Sequence, residues 1–436
     1  MLKGHTTIEL TDVNTGKKEA YEDDNMITGA LNEIFKDMGF DRMATLKDSA
    51  PFIYTLLGGM ICFDSELPET AETFFPPASA NFVAGAAYDY TNTTTETGIG
   101  SYNKTESKAE DGKVTFVYDF TTSQGNGTIA SVCLTHKQAA FSYYGHEGAT
   151  KLYRERPFFS TGTSNGRTLV IENYHPFLAS YDEDVIYYFR IENTSSLSIV
   201  QYKGNMKTMS VFDKLSTPEI KDSESVDVEL ANTNVYSYNY DPSNGCLYIC
   251  QSQTAAQNAA LTVIVYDMAT KNASITTVTN TADKTINGAS AYFHGGYMYT
   301  CATGDAPYTW YRFNLTNSAD VVKLDGTTEA SDYWTGMPLG DSIMLMNNVY
   351  YGSYAEYYNY IIRDTEVLPT NSYRYYGIYP LQGIIPISET PLTFLIGYNS
   401  QVVTPYGYLA TINNLSNPVV KTADKTMKIT YTVTEV

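Results

Sequence analysis

Three kinds of side chain in this 436-residue chain could do chemistry: histidines, carboxylates and tyrosines. The five histidines, His5, His136, His146, His175 and His294, lie in different segments. None has the i, i+4 or His-x-His spacing that sets two imidazoles on one metal, so they read as structural or solvated. Carboxylates gather at Asp182-Glu183-Asp184 and at Glu219, Asp222, Glu224 and Asp227. A glycosidase needs such groups converging on one sugar, and these read as surface charge on polar loops. No Gly-x-Ser-x-Gly elbow or P-loop is present, and the Ser-x-Asp-x-Gly-x-Thr-Trp box of sialidase blades is missing. The pairs Gly98 with Gly100 and Gly125 with Gly127 are turn glycines, with no helix behind them to hold a phosphate. The sequence therefore assigns no catalytic residue, no metal ligand and no cofactor.

Tyrosine is the informative type, with 39 in the chain. Tyr350, Tyr351, Tyr354, Tyr357, Tyr358 and Tyr360 are followed by Tyr373, Tyr375, Tyr376 and Tyr379. A tyrosine ring offers a flat apolar face and a polar tip, which suits stacking on sugars or anchoring a protein contact. Tyr350, Tyr358 and Tyr360 fall in predicted strands and read as core. Tyr354, Tyr373, Tyr375 and Tyr376 fall in predicted loops and are the candidate binding residues.

The elements that carry these residues recur about every fifty residues, close to the length of one four-stranded propeller blade. Cys246–Cys250 leads to Leu261–Tyr266, and Tyr297–Cys301 leads to Trp310–Leu315. Val349–Gly352 leads to Tyr357–Ile362, and Leu392–Ile396 leads to Tyr406–Ile412. An earlier unit starts near Phe177–Ser180 and continues through Val185–Thr194, where Arg190-Ile191-Glu192-Asn193-Thr194 echoes Arg312-Phe313-Asn314-Leu315-Thr316-Asn317. About five blades are expected, with an irregular stretch at 200–232.

Outside that region the pattern changes. Thr7–Leu10 and Lys18–Tyr21 alternate on either side of Asn14-Thr15-Gly16, which predicts a hairpin. Asp23-Asp24-Asn25 then offers an N-cap to a helix over Met26–Phe35, with residues 27, 30, 31, 34 and 35 on one face. Val114–Phe120 and Thr128–Leu134 read as strands. The last strand puts Met427, Ile429, Tyr431 and Val433 on one face, and its alternation matches the N-terminal strands.

Composition bounds the class of partner. A chain this long exceeds one ordinary core, and 43% hydrophobic residues exclude wholesale disorder. The formal charge of −20, from 28 basic and 48 acidic residues, argues against nucleic acid and anionic membranes. Cys62, Cys133, Cys246, Cys250 and Cys301 are an odd set without Cys-x-x-Cys spacing, so neither a disulfide framework nor a zinc site is expected. The N-terminal residues lack the apolar region of a secretory signal, and no apolar run reaches a membrane span. Synthesis in a cytoplasm is expected.

Several strings outside the repeats are distinctive. They are Asn25–Leu31, Leu56–Phe63, Gly100–Ser107, Val117–Ile129 and the closing Lys421–Tyr431. Together they resemble the flanking modules of tail-associated structural proteins of phages and prophages of Gram-positive gut bacteria. The resemblance covers residues 1–150 and 405–436, and it carries over no catalytic residue. It implies a virion protein: a tail receptor-binding or fibre-like adhesin that contacts other virion proteins and a host surface glycan or protein. It also implies a homo-oligomer, with a trimer expected from the class.

The expected fold is all-β: a β-sandwich base with one N-terminal helix, carrying an inserted β-propeller of about five blades. The expected parts are a base over 1–165, the propeller over 166–422, and a strand over 423–436 returning to the base. A propeller hydrolase or lyase acting on polysaccharide, and an inert head or tail decoration protein, are the two rival readings.

Overall fold

The computed structural model describes residues 2–33, 50–94, 96–137, 152–153, 174–180, 182–203, 219–329, 335–351, 354–373, 384–396, 401–405 and 407–435. The chain divides into two compact units, Met1–Lys151 with Pro405–Val436, and Leu152–Thr404.

The first unit opens with the expected hairpin, β1 (Leu2–Asp12) paired with β2 (Lys18–Ile27). Its turn is built by Asp12, whose carboxylate accepts the N–H groups of Asn14 and Thr15 at 2.8 Å, while Gly16 takes the left-handed φ of 69°. The helix expected from Met26 begins later. β2 runs on to Ile27, and helical residues start at Ala30. The cap is Thr28, whose hydroxyl accepts the Ala30 N–H at 3.2 Å and donates to the Leu409 carbonyl at 2.6 Å. Asp23-Asp24-Asn25 are strand residues instead, and Asn25 bonds Thr6 across the hairpin at 2.9 Å. A second helix, α1 (Ala50–Leu57), was not expected from the sequence. Its eight residues are almost uniformly apolar, so no period separates helix from strand. Then come β3 (Gly59–Phe63), β4 (Phe82–Ala87), β5 (Ser101–Tyr102), β6 (Lys108–Glu110), β7 (Lys113–Phe120) and β8 (Gly127–Thr135).

The second unit begins with β9 (Leu152–Tyr153) and then folds into antiparallel meanders. The first is β10 (His175–Ser180), β11 (Val185–Asn193), β12 (Ser196–Lys203) and β13 (Ile220–Asp227). The second is β14 (Ser237–Asp241), β15 (Cys246–Cys250), β17 (Ala260–Asp267) and β18 (Asn272–Thr279), with β16 (Thr254–Ala255) pairing β19 (Ile286–Asn287) outside it. The third is β20 (Tyr292–His294), β21 (Tyr297–Cys301), β22 (Tyr308–Asn314) and β23 (Val321–Thr328). The fourth is β24 (Thr335–Leu339), β25 (Ser342–Tyr351), β26 (Tyr354–Arg363) and β27 (Glu366–Tyr373). The fifth is β28 (Ile384–Ile387), β29 (Thr390–Ile396) and β30 (Gln401–Pro405), and β9 pairs with β30 as its fourth strand.

Neighbouring strand residues point to opposite sides, and in the second and third meanders both sides are apolar. In β15, Leu247 and Ile249 pack with Phe177, Tyr187 and Phe189 of the first meander. Tyr248 and Cys250, from the same strand, pack with Phe293, Met298 and Phe313 of the third. Tyr299, Cys301 and Trp310 of the third pack in turn with Ile343, Leu345 and Tyr360 of the fourth. Consecutive first strands are neighbours, β10 with β14, β14 with β20, β20 with β24 and β24 with β28. The cycle closes where β28 pairs with β10 in parallel at Ala179 and Ile387, with the Ser388 N–H donating to the Ala179 carbonyl at 2.9 Å.

A polar seam runs along the inside of this cycle. Ser237, Asn239 and Asp241 share one face of β14; Asn239 and Asp241 bond the third meander, and Ser237 bonds the turn just before it. The Ser237 hydroxyl donates to the Gly288 carbonyl at 2.8 Å. Asn239 grips Phe293 twice, donating to its carbonyl at 2.7 Å and accepting its N–H at 2.8 Å. Buried Asp241 meets His294 Nδ1 at 3.1 Å and accepts the Gly295 N–H at 2.9 Å, and His294 Nε2 lies 2.9 Å from the Gly340 carbonyl of the fourth meander. One carboxylate thus ties three meanders. Burial alone would raise its pKa, yet the bonds from His294 and Ser243 outweigh burial and hold it below the usual aspartate value.

The chain then re-enters the first unit through β31 (Thr411–Lys421) and β32 (Lys425–Glu435). The expected boundaries of 165 and 422 therefore move to 151 and 404, since β31 pairs with β8 and β2 in the base. The second strand expected at Tyr406–Ile412 is corrected likewise: Thr411 and Ile412 begin β31. β32 lies between β1 and β7, with Met427, Ile429, Tyr431 and Val433 buried as their alternation predicts. All base strands join one sheet, in the order β4, β3, β8, β31, β2, β1, β32, β7, β5, with β6 pairing β7 off this path. Its two borders meet where Gly85 donates to the Gly98 carbonyl at 2.9 Å and accepts the Gly100 N–H at 2.8 Å. The sandwich-like layers are halves of one sheet that curls round a shared core.

Removing one partner of a buried polar knot strands the others, at a cost of about 3–5 kcal/mol. Asp241→Ala is expected to lower the unfolding free energy of the second unit by about that amount, measured by urea denaturation. A loss below about 1 kcal/mol would show that the seam does not hold the meanders together.

Candidate binding site

Of the four tyrosines singled out from sequence, two lie in strands of the fourth meander and two lie outside the described residues. Tyr354 is the first residue of β26, opposite Tyr351, and Tyr373 is the last of β27, opposite Tyr357. Both backbones are strand, where loops were expected, because the hairpin registers of the fourth meander extend to them. Tyr375 and Tyr376 lie outside the described residues.

A cleft of about 350 Å³ lies instead in the first meander, lined by His175, Arg190, Ile191, Glu192, Thr233 and Val235. Three elements build it. His175 opens β10, Arg190 to Glu192 come from the far end of β11, and Thr233 and Val235 belong to the link between β13 and β14. The cleft therefore lies at the starts of the first strands, whereas Asp241 and His294 mark their ends.

Aromatic packing fixes the polar groups. The His175 ring stacks on Phe189, centroids 4.9 Å apart, and meets Tyr238 at 5.2 Å. Burial there pushes its pKa below the usual histidine value, so the ring is neutral near pH 7. The Arg190 guanidinium lies over the Tyr174 ring at 4.9 Å and pairs with Glu192, its neighbour two residues on and on the same strand face. Their side chains are partly covered, with 35% and 30% exposure. The resemblance between the Arg190 and Arg312 segments has a structural counterpart: Arg312 covers Tyr297 at 4.8 Å in the same way.

Glu192 is the one carboxylate in its lining among the described residues, and a glycosidase needs two. Among the described residues no group of three or more His, Cys, Asp or Glu could hold a metal. Several described tyrosines anchor the fold. Tyr187 and Tyr266 donate to Glu183 and Glu224, and Tyr311 donates to Asp283 at 2.5 Å, so apolar rings fill the meander interiors while carboxylates take their tips.

Sequence reading missed the cleft because it treated His175 as an isolated imidazole and Arg190 to Thr194 as a blade echo. The available signal was local: an Arg-x-Glu pair on one strand face, and a Tyr-His pair opening another. The chain matches no protein-family model and no curated protein.

The environment of His175 has a pH signature. Its folded pKa lies below the unfolded value near 6.5, so its contribution to stability is complete above that pH and is lost as pH falls through the folded value. In an NMR titration the His175 ring is expected to change protonation below pH 6.5; a midpoint at or above 6.5 would show that the ring is not buried between Phe189 and Tyr238.

Proposed function

We propose that this chain is a virion structural protein of a phage of Gram-positive gut bacteria, a tail receptor-binding adhesin. In this reading the second unit is a five-bladed β-propeller that binds a host surface glycan or protein. Five four-stranded meanders, the first four packed face to face in succession, support the propeller, as does the cycle of first strands. So does β9, which lets the start of the unit complete its last meander, the usual way a blade ring is locked.

The observation that carries the functional reading is the interruption of one sheet between β8 and β31 by a self-contained unit of repeated meanders. Such a division lets one unit serve assembly while the other varies for recognition on a rigid scaffold. The flanking strings that resemble tail-associated modules lie in the first unit, and the cleft lies in the second. The charge of −20 fits a surface that avoids non-specific adhesion to polyanions. Other virion proteins and further copies of the chain are the partners implied for the base.

The test uses the full-length chain. Fluorescently labelled protein is expected to bind a panel of Gram-positive gut bacteria saturably and strain-selectively, and antibodies against it to label particle tails and block adsorption. Binding to no strain, together with absence from purified particles, would refute the adhesin. Shortening of host polysaccharide by the protein would favour the depolymerase.

A further inference from the structure

We propose that the cleft of the first meander holds one neutral, hydroxyl-rich sugar residue, with Arg190 and Glu192 as the paired donor and acceptor and Thr233 at its wall. This rests on the adhesin reading and names the ligand class of its site.

The lining determines the chemistry. Arg190 and Glu192 cancel each other's charge, so the cleft presents a donor and an acceptor side by side and no net charge. Glu192 takes one of the five guanidinium N–H donors, which leaves donors and the second carboxylate oxygen for neighbouring hydroxyls. Two vicinal hydroxyls of a pyranose match that pair, since each can donate and accept. The neutral imidazole of His175 adds a further donor and acceptor. Ile191 and Val235 also line the cleft, their side chains packed in part on the core between the first and second meanders.

Charge and size exclude the competing classes. A polyanion approaches a chain of −20, and the internally paired Arg190 and Glu192 leave no net charge to attract a cation. The volume of about 350 Å³ lies at the small end of ligand pockets, which run from about 300 to 1,000 Å³, and admits a single sugar residue or a disaccharide. The stack on Tyr174 and the partial burial of the ion pair hold both polar groups before a ligand arrives. Pre-organisation of this kind reduces the entropy lost on binding.

The experiment is saturation-transfer NMR with titration of the full-length chain. The probes are glucose, galactose and N-acetylglucosamine, against glucuronic acid and glucosamine as charged counterparts. At least one neutral sugar is expected to bind saturably, with its charged counterpart at least about tenfold weaker. Glu192→Gln and Arg190→Gln are each expected to weaken binding about tenfold or more, with melting curves reporting whether either unfolds the chain. Thr233→Val, at an exposed position, keeps the test valid if they do, and is expected to weaken binding severalfold. Equal binding by wild type and all three variants would place the sugar elsewhere and overturn the assignment. Stronger binding of the charged sugars would overturn the ligand class. Adhesion to cells without binding of any of these sugars would overturn this inference and leave the adhesin reading standing.

Discussion

A sheet that is apolar on both faces has to be covered on both, and the second unit is organised around that constraint. Leu247 and Ile249 face one neighbour while Tyr248 and Cys250 face the other, so the second meander is covered on both faces at β15. The first meander has the same property. Tyr187 and Phe189 pack against the second, and Ile186, Tyr188, Val200 and Tyr202 on the opposite face are buried too. Each large side chain left in water would forgo about 1.5–3 kcal/mol. An open row of such meanders would expose its two end faces, and the pairing of β28 with β10 joins those ends.

Apolar packing does not fix the spacing of the first strands, and polar groups supply that. Asn239 acts as a substitute for a missing strand, bonding both the N–H and the carbonyl of Phe293. Asp241 and His294 do the same at the strand ends, in a buried setting where an unmade bond is costly. Small residues complete the fit. A Cβ on Gly336 of β24 would lie 2.3 Å from the Tyr292 ring of β20, so only glycine permits that approach. Where the seam is strongest the surface is committed to structure. The cleft opens at the other ends of these strands, where the donors of Arg190 and the carboxylate of Glu192 are not consumed by such ties.

Much of this was legible in the sequence wherever the period-two alternation is regular. The hairpin of β1 and β2, the buried face of β32 and the β15–β17 and β21–β22 units follow from spacing alone. What was not legible depended on long-range partners. Thr28, and not Asp23 to Asn25, caps the first helix because its hydroxyl also reaches Leu409, a residue remote in sequence. α1 hid in an apolar run without a period. β31 was assigned to the wrong part because its partners, β8 and β2, lie nearly 300 residues or more away. The cleft was missed for the same reason: His175, Arg190 and Val235 become neighbours only once β10, β11 and the link to β14 are folded. The tyrosines, in contrast, stood out by composition, and two of the four candidates, Tyr354 and Tyr373, end strands whose hairpin partners the sequence did not reveal.

The central claim is that the meanders close on themselves. Its most direct measurement is native-state hydrogen exchange at the junction of the first and last meanders, read at the Ser388 amide that bonds the Ala179 carbonyl. Closure predicts that this amide exchanges as slowly as the β15 and β21 amides, with the global unfolding of the unit. Exchange at the rate of an exposed turn, while β15 and β21 stay protected, would show an open row and contradict the account.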